Sequence, residues 1–90
     1  MKEVSLYSVI SGDYTITQEQ LDSFKALLIR GMRSEQHKRR IHSLTLGRLT
    51  CLRNHGIYGR VVFDESGCIY WPSQSYPDEL RTVRELLLKG

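Results

Sequence analysis

Two runs of strand-forming residues, 58–63 and 68–71, flank the polar tetrapeptide Asp64-Glu65-Ser66-Gly67. No other feature restricts the fold of this chain as much. Turn formers between β-branched and aromatic runs predict a β-hairpin, which Pro72 ends because proline cannot donate to a strand ladder. The other apolar residues recur mostly at helical spacing, so the chain has to combine a hairpin with helices. With 90 residues it is expected to form one small α+β domain over residues 1–90, with three to four helices, the hairpin and a short N-terminal strand.

The strand expected at the N-terminus comes from alternation. Val4, Leu6, Ser8 and Ile10 alternate with Glu3, Ser5, Tyr7 and Val9, and Ser11-Gly12-Asp13 then breaks the run. Thr17 and Gln20 have capping-box spacing, with Leu21, Phe24, Leu28 and Met32 behind them, which predicts a helix over residues 18–32. Ser34 can cap a second helix, but residues 35–40 hold no apolar side chain and only Ile41 anchors them. Leu44, Leu46, Leu49 and Leu52 return the chain to the core. Residues 34–54 are therefore either one helix, or a short basic helix, a turn near His42-Ser43 and another helix ending before Gly56. Pro77, Asp78 and Glu79 suit the start of a last helix whose buried stripe is Leu80, Val83 and Leu87. Leu86 and Leu88 widen that stripe, which admits a homodimer through the C-terminal helix.

Charge is the second constraint. From Arg30 to Arg60 eight basic residues face only Glu35, a formal +7, while the rest of the chain carries −4. His37, His42 and His55 lie in the same stretch. Basic charge concentrated in one third of a small domain is the footprint of a surface that meets phosphate or an acidic protein. The bland alternative, that Lys38-Arg39-Arg40 is a solvated helical face, holds for that run alone. It accounts less well for the run together with Arg30, Arg33, Arg48, Arg53 and Arg60.

From Leu49 onward the chain reads Leu-x-x-Leu-Arg-Asn-His-Gly-Ile-Tyr-Gly-Arg and then the hairpin. This order resembles the second half of a winged helix-turn-helix domain, and with the 18–32 helix the resemblance covers about half of the chain. It implies a recognition helix over residues 43–53 with Thr45, Arg48 and Arg53 toward DNA, and a wing made of Arg60 and the 64–67 turn. The chain departs from the pattern in the acidic residues Asp64 and Glu65 of that turn and in the polarity of the second helix. The expected contact set is Arg33, Lys38, Arg39, Arg40, Thr45, Arg48, Arg53 and Arg60, and the expected function is that of a small nucleic-acid-binding regulator, DNA favoured.

The alternative is a protein-binding modulator or inhibitor of nucleic-acid machinery, anchored by Tyr58, Tyr70, Trp71 and Tyr76. In size, and in its lack of catalytic motifs, the chain resembles phage or mobile-element accessory proteins acting on a nuclease, polymerase or defence complex. Core filling is the ordinary role for each of these aromatics taken singly.

No enzyme motif is present. Gly56-x-x-Gly59 lacks the lysine and the strand-to-helix setting of a phosphate loop, and no nucleophile–base arrangement stands out. Cys51-x-x-x-His55, with Cys68 or His42, supplies only one close pair of zinc ligands, so free structural thiols and no metal or cofactor are expected. No apolar run reaches the roughly 20 residues of a membrane span. The N-terminal residues do not read as a secretory signal, so a cytoplasmic setting is expected.

Overall fold

The computed structural model describes residues 2–50, 52, 55, 57, 59–71 and 78–89. It is a small compact α+β domain. In chain order the elements are β1 (Lys2–Ser5), α1 (Leu6–Ser11), α2 (Gln18–Ile29), α3 (Glu35–His42), α4 (Leu46–Thr50), β2 (Arg60–Asp64), β3 (Gly67–Trp71) and α5 (Glu79–Lys89). The strands form one antiparallel sheet in the order β1-β2-β3.

The hairpin forms where the turn chemistry places it. Asp64 Oδ1 accepts from the Ser66 backbone N–H at 2.8 Å and from its hydroxyl at 2.7 Å. Gly67 supplies the positive φ of 136° that the tight return needs. Val61 and Phe63 point inward beside Tyr70 and Cys68, their register partners. Ile69 and Trp71 point outward, as period-2 alternation dictates.

The N-terminal strand is shorter than the alternation of apolar residues implies. Only residues 2–5 pair with β2; from Leu6 the chain is helical. Leu6, Val9 and Ile10 also satisfy helical spacing, and all three are buried on one face of α1. Local capping decides between the two periods. Ser5 Oγ accepts from Ser8 N–H, and Gly12, at φ 86°, closes the helix with its N–H on the Val9 carbonyl.

Helix α2 begins at the capping box: Gln20 N–H donates to Thr17 Oγ1 at 3.1 Å, and Thr17 N–H donates to Gln20 Oε1 at 2.9 Å. It ends at Ile29, before Met32, because Gly31 turns to φ 86° and Arg84 Nε takes the Leu28 carbonyl at 2.7 Å. One face of α2 packs on β3 and another on α3. Leu21, Phe24, Leu27 and Leu28 fill the core between the layers.

Of the two readings of residues 34–54, the interrupted one is correct. Ser34 caps α3, Ser43 terminates it, and Thr45 Oγ1 caps the short α4 by accepting from Arg48 N–H at 3.3 Å. The helix expected over residues 43–53 is described only as Leu46–Thr50. Ser43 and Leu44 form the break before it, and Leu52 lies buried in a turn after it. Thr50 bonds back to the Gly47 carbonyl at 2.8 Å, a local bond of the kind that competes with helix propagation.

Helix α5 packs against α3, and Val83 and Leu87 are buried as expected. Leu80, Leu86 and Leu88 are partly buried against the core. The wide leucine stripe is thus partly spent inside the molecule, which reduces the apolar surface left for a second copy. The N-terminal turn of α5 is held by Glu79, only 5 % exposed, whose Oε2 accepts from Gly59 N–H and from Tyr70 Oη, each at 2.7 Å. This clasp ties the helix to the base of the hairpin across 20 residues of sequence.

Candidate nucleic-acid interface

Helix α3 buries a single apolar side chain, Ile41, and an eight-residue helix with one anchor is marginal without tertiary help. The help comes from Lys25. Its side chain is 7 % exposed, and Nζ donates to the His42 carbonyl at 2.9 Å. A buried ammonium at the C-terminal carbonyls of a helix satisfies an orphan acceptor and offsets the negative end of the macrodipole. Arg84 does the same for α2 at the Leu28 carbonyl. Neither cation belongs to an open binding surface.

With α3 held in this way, its last turn projects Arg39 and Arg40 outward, both exposed. The Ser43-Leu44 break folds the chain back so that Thr45 and Arg48 come alongside, and α5 contributes Leu87. Together Gln36, Arg39, Arg40, Ser43, Leu44, Thr45, Arg48 and Leu87 line an open groove of about 520 Å³. The lining contains three guanidinium groups and no carboxylate. Arg39, Arg40 and Arg48 make no ion pair among the described residues. Three adjacent cations in water repel one another only weakly because solvent and salt screen them. An anion brought among them gains from all three.

A second hollow of similar size has the opposite character. It is lined by Lys2, Thr17, Glu19, Gln20, Ser23, Phe63, Asp64 and Glu65, three carboxylates against one lysine. The hairpin tip therefore borders an acidic surface. Asp64 is held below the usual carboxylate range by its hydrogen bonds from the Ser66 hydroxyl and the Ser66 backbone, so it stays charged at neutral pH.

No family model matches the chain, and no curated protein or solved structure matches it. The geometry of the groove and the chemistry of its lining are what bear on function.

Of the eight contact residues expected from sequence, the fold brings four together: Arg39, Arg40, Thr45 and Arg48. Lys38 lies on the same helix, paired with Glu35 at 3.3 Å. Arg33 is exposed in the link before α3 and does not line the groove. Arg60 is on the sheet, paired with Glu3 at 3.1 Å. Arg53 lies outside the described residues, as do Tyr58 and Tyr76. Sequence reasoning missed Gln36, Ser43 and Leu44, which flank the arginines, and Leu87, contributed by the far end of the chain. The only signal for the first three was their closeness to the basic run, and none existed for Leu87 beyond its place in a buried stripe.

The expected aromatic anchors divide. Tyr70 turns inward to Glu79, and its phenol is pushed well above the ordinary tyrosine range, first by burial and then by the carboxylate it bonds to. It is part of the clasp and not an open anchor. Trp71, 59 % exposed, and Ile69, 48 % exposed, do stand on the outer sheet face. Cys68 is a free buried thiol whose pKa desolvation pushes up to about 11, against a smaller opposing effect of Arg30. Cys51 lies outside the described residues, and His42 and His55 are exposed. Among the described residues no three His, Cys, Asp or Glu side chains gather as a metal site, and no helix is long and apolar enough to cross a membrane.

Proposed function

We propose that this protein is a small, non-enzymatic nucleic-acid-binding regulator that works in the cytoplasm and contacts its ligand through the α3–α4 groove. One observation carries the reading: Arg39, Arg40 and Arg48, none in an ion pair among the described residues, share a groove that has no carboxylate in its lining. Arginines neutralise phosphates, and the hydroxyl and amide groups beside them can meet base edges. The winged helix-turn-helix resemblance adds a division of labour in which Thr45, the cap of α4, takes a base-reading role beside the arginines. The acidic hairpin tip and the Arg60–Glu3 pair favour the helical groove over the hairpin as the main contact.

The test is binding to labelled DNA, single-stranded and duplex, followed by fluorescence anisotropy as salt is raised. The reading requires an affinity that falls steadily with ionic strength. If neither form binds at low salt, the proposal is wrong.

A second reading, a protein-binding modulator of nucleic-acid machinery, is favoured by the exposed Trp71 and Ile69 side by side on edge strand β3. A stoichiometric protein partner lost on Trp71→Ala, with DNA binding absent, would put this reading first.

A further inference from the structure

The groove lining is richer than a phosphate requires. A phosphodiester offers only acceptors, so a site built for phosphate alone needs only donors. The hydroxyls here are polarised by their internal bonds. Ser43 Oγ donates its proton to the Arg39 carbonyl at 3.0 Å, so that toward a ligand this exposed hydroxyl acts as an acceptor. Thr45 Oγ1 accepts from Arg48 N–H, and its own proton remains as a donor. Gln36 carries an amide that offers both. An acceptor such as Ser43 Oγ serves no purpose toward phosphate but matches the amino and imino protons on a base edge.

The floor is also unlike that of a bare anion site. Half-buried Leu44 lines it above the buried Leu87, and three arginines, whose side chains carry long aliphatic stems, surround it. Guanidinium planes stack on nucleobases as well as pairing with phosphates.

From these features we infer that the groove accepts an unpaired nucleotide. The base lies over Leu44 with its edge toward Ser43, Thr45 and Gln36, and the flanking phosphates lie on Arg39, Arg40 and Arg48. This inference rests on the nucleic-acid reading and narrows it to single-stranded segments. A base held in a duplex stack cannot reach the floor unless it is first extruded, at a cost in unpairing and unstacking.

The experiment compares three probes of equal length with the full chain at low salt, by anisotropy: a mixed-sequence single strand, the same strand with every base replaced by an abasic tetrahydrofuran residue, and the corresponding duplex. The abasic strand keeps every phosphate and removes only the bases. The intact strand is expected to bind about tenfold more tightly than the abasic one, within the range that base stacking contributes in other single-strand sites, and also more tightly than the duplex. Gln36→Ala, at an exposed position, is expected to weaken the intact strand and leave the abasic strand unchanged. Equal affinity for intact and abasic strands, or preference for the duplex, overturns the inference and leaves the nucleic-acid reading standing. Absence of binding to all three overturns both.

Discussion

Replacing Arg48 by glutamine removes one of three guanidinium groups from the groove while keeping a side chain of good helix propensity and similar stem. For single strands, each phosphate neutralised contributes about −0.7 to the slope of log K against log salt. If the three arginines each neutralise one phosphate, the slope is about −2.1 and affinity falls about 18-fold between 50 and 200 mM salt. Arg48→Gln should flatten the slope to about −1.4, reduce that fall to about sevenfold, and weaken binding about fivefold at 100 mM. The triple replacement of Arg39, Arg40 and Arg48 should abolish most of the salt dependence. Arg81→Gln, at a residue paired with Glu85 outside the groove, is the charge-matched control and should leave the slope nearly unchanged. Anisotropy titrations at four or more salt concentrations measure each slope, and circular dichroism checks that the variants stay folded. If Arg48→Gln keeps the wild-type slope, or Arg81→Gln flattens it equally, the charge acts diffusely and the groove has no special part in binding.

Three further outcomes follow from the packing. Gly59→Ala should be severely destabilising in urea unfolding, well beyond the ~0.5 kcal/mol of an ordinary surface change, because a Cβ there meets the Glu79 carboxylate and the Tyr70 ring that form the clasp. An alanine variant with a wild-type midpoint would disprove that close approach. Tyr70 has a raised pKa in the folded protein, so its contribution to stability is full below about pH 10 and is lost as pH rises beyond that value. The urea midpoint should therefore fall on going from about pH 9 to about pH 11, and Tyr70→Phe should lessen that fall; an equally steep fall in the variant would contradict the assignment. Lys25→Met keeps the stem but leaves the His42 carbonyl without the ammonium, and should cost about 1–3 kcal/mol. Hydrogen exchange should then rise first in the last turn of α3, and protection unchanged there would show that Lys25 does not hold that helix.

Local signals carried much of the fold. The capping box at Thr17 and Gln20, the Ser34 cap and the Asp64–Gly67 turn each involve residues within three positions of one another, and each forms where the residues predict. The N-terminal segment shows the limit of such reading. Residues 4–10 satisfy both a strand and a helical period, and a short run cannot choose between them on hydrophobicity alone. Capping by Ser5 and Gly12, with burial of Leu6, Val9 and Ile10, selected the helix.

The candidate site divides in the same way. That the chain would carry a concentrated basic surface on α3 and the segment after it was determined by the sequence, because charge count and helix caps are properties of neighbouring residues. Which basic residues share a surface was decided only by tertiary structure. Arg60 left the set for Glu3, 57 positions away, and Lys25 and Arg84 went to helix ends. Leu87, from the last helix, came to line the groove beside Arg39, Arg40 and Arg48. Such partners are chosen by how the layers pack, and packing joins residues that no local period or spacing connects.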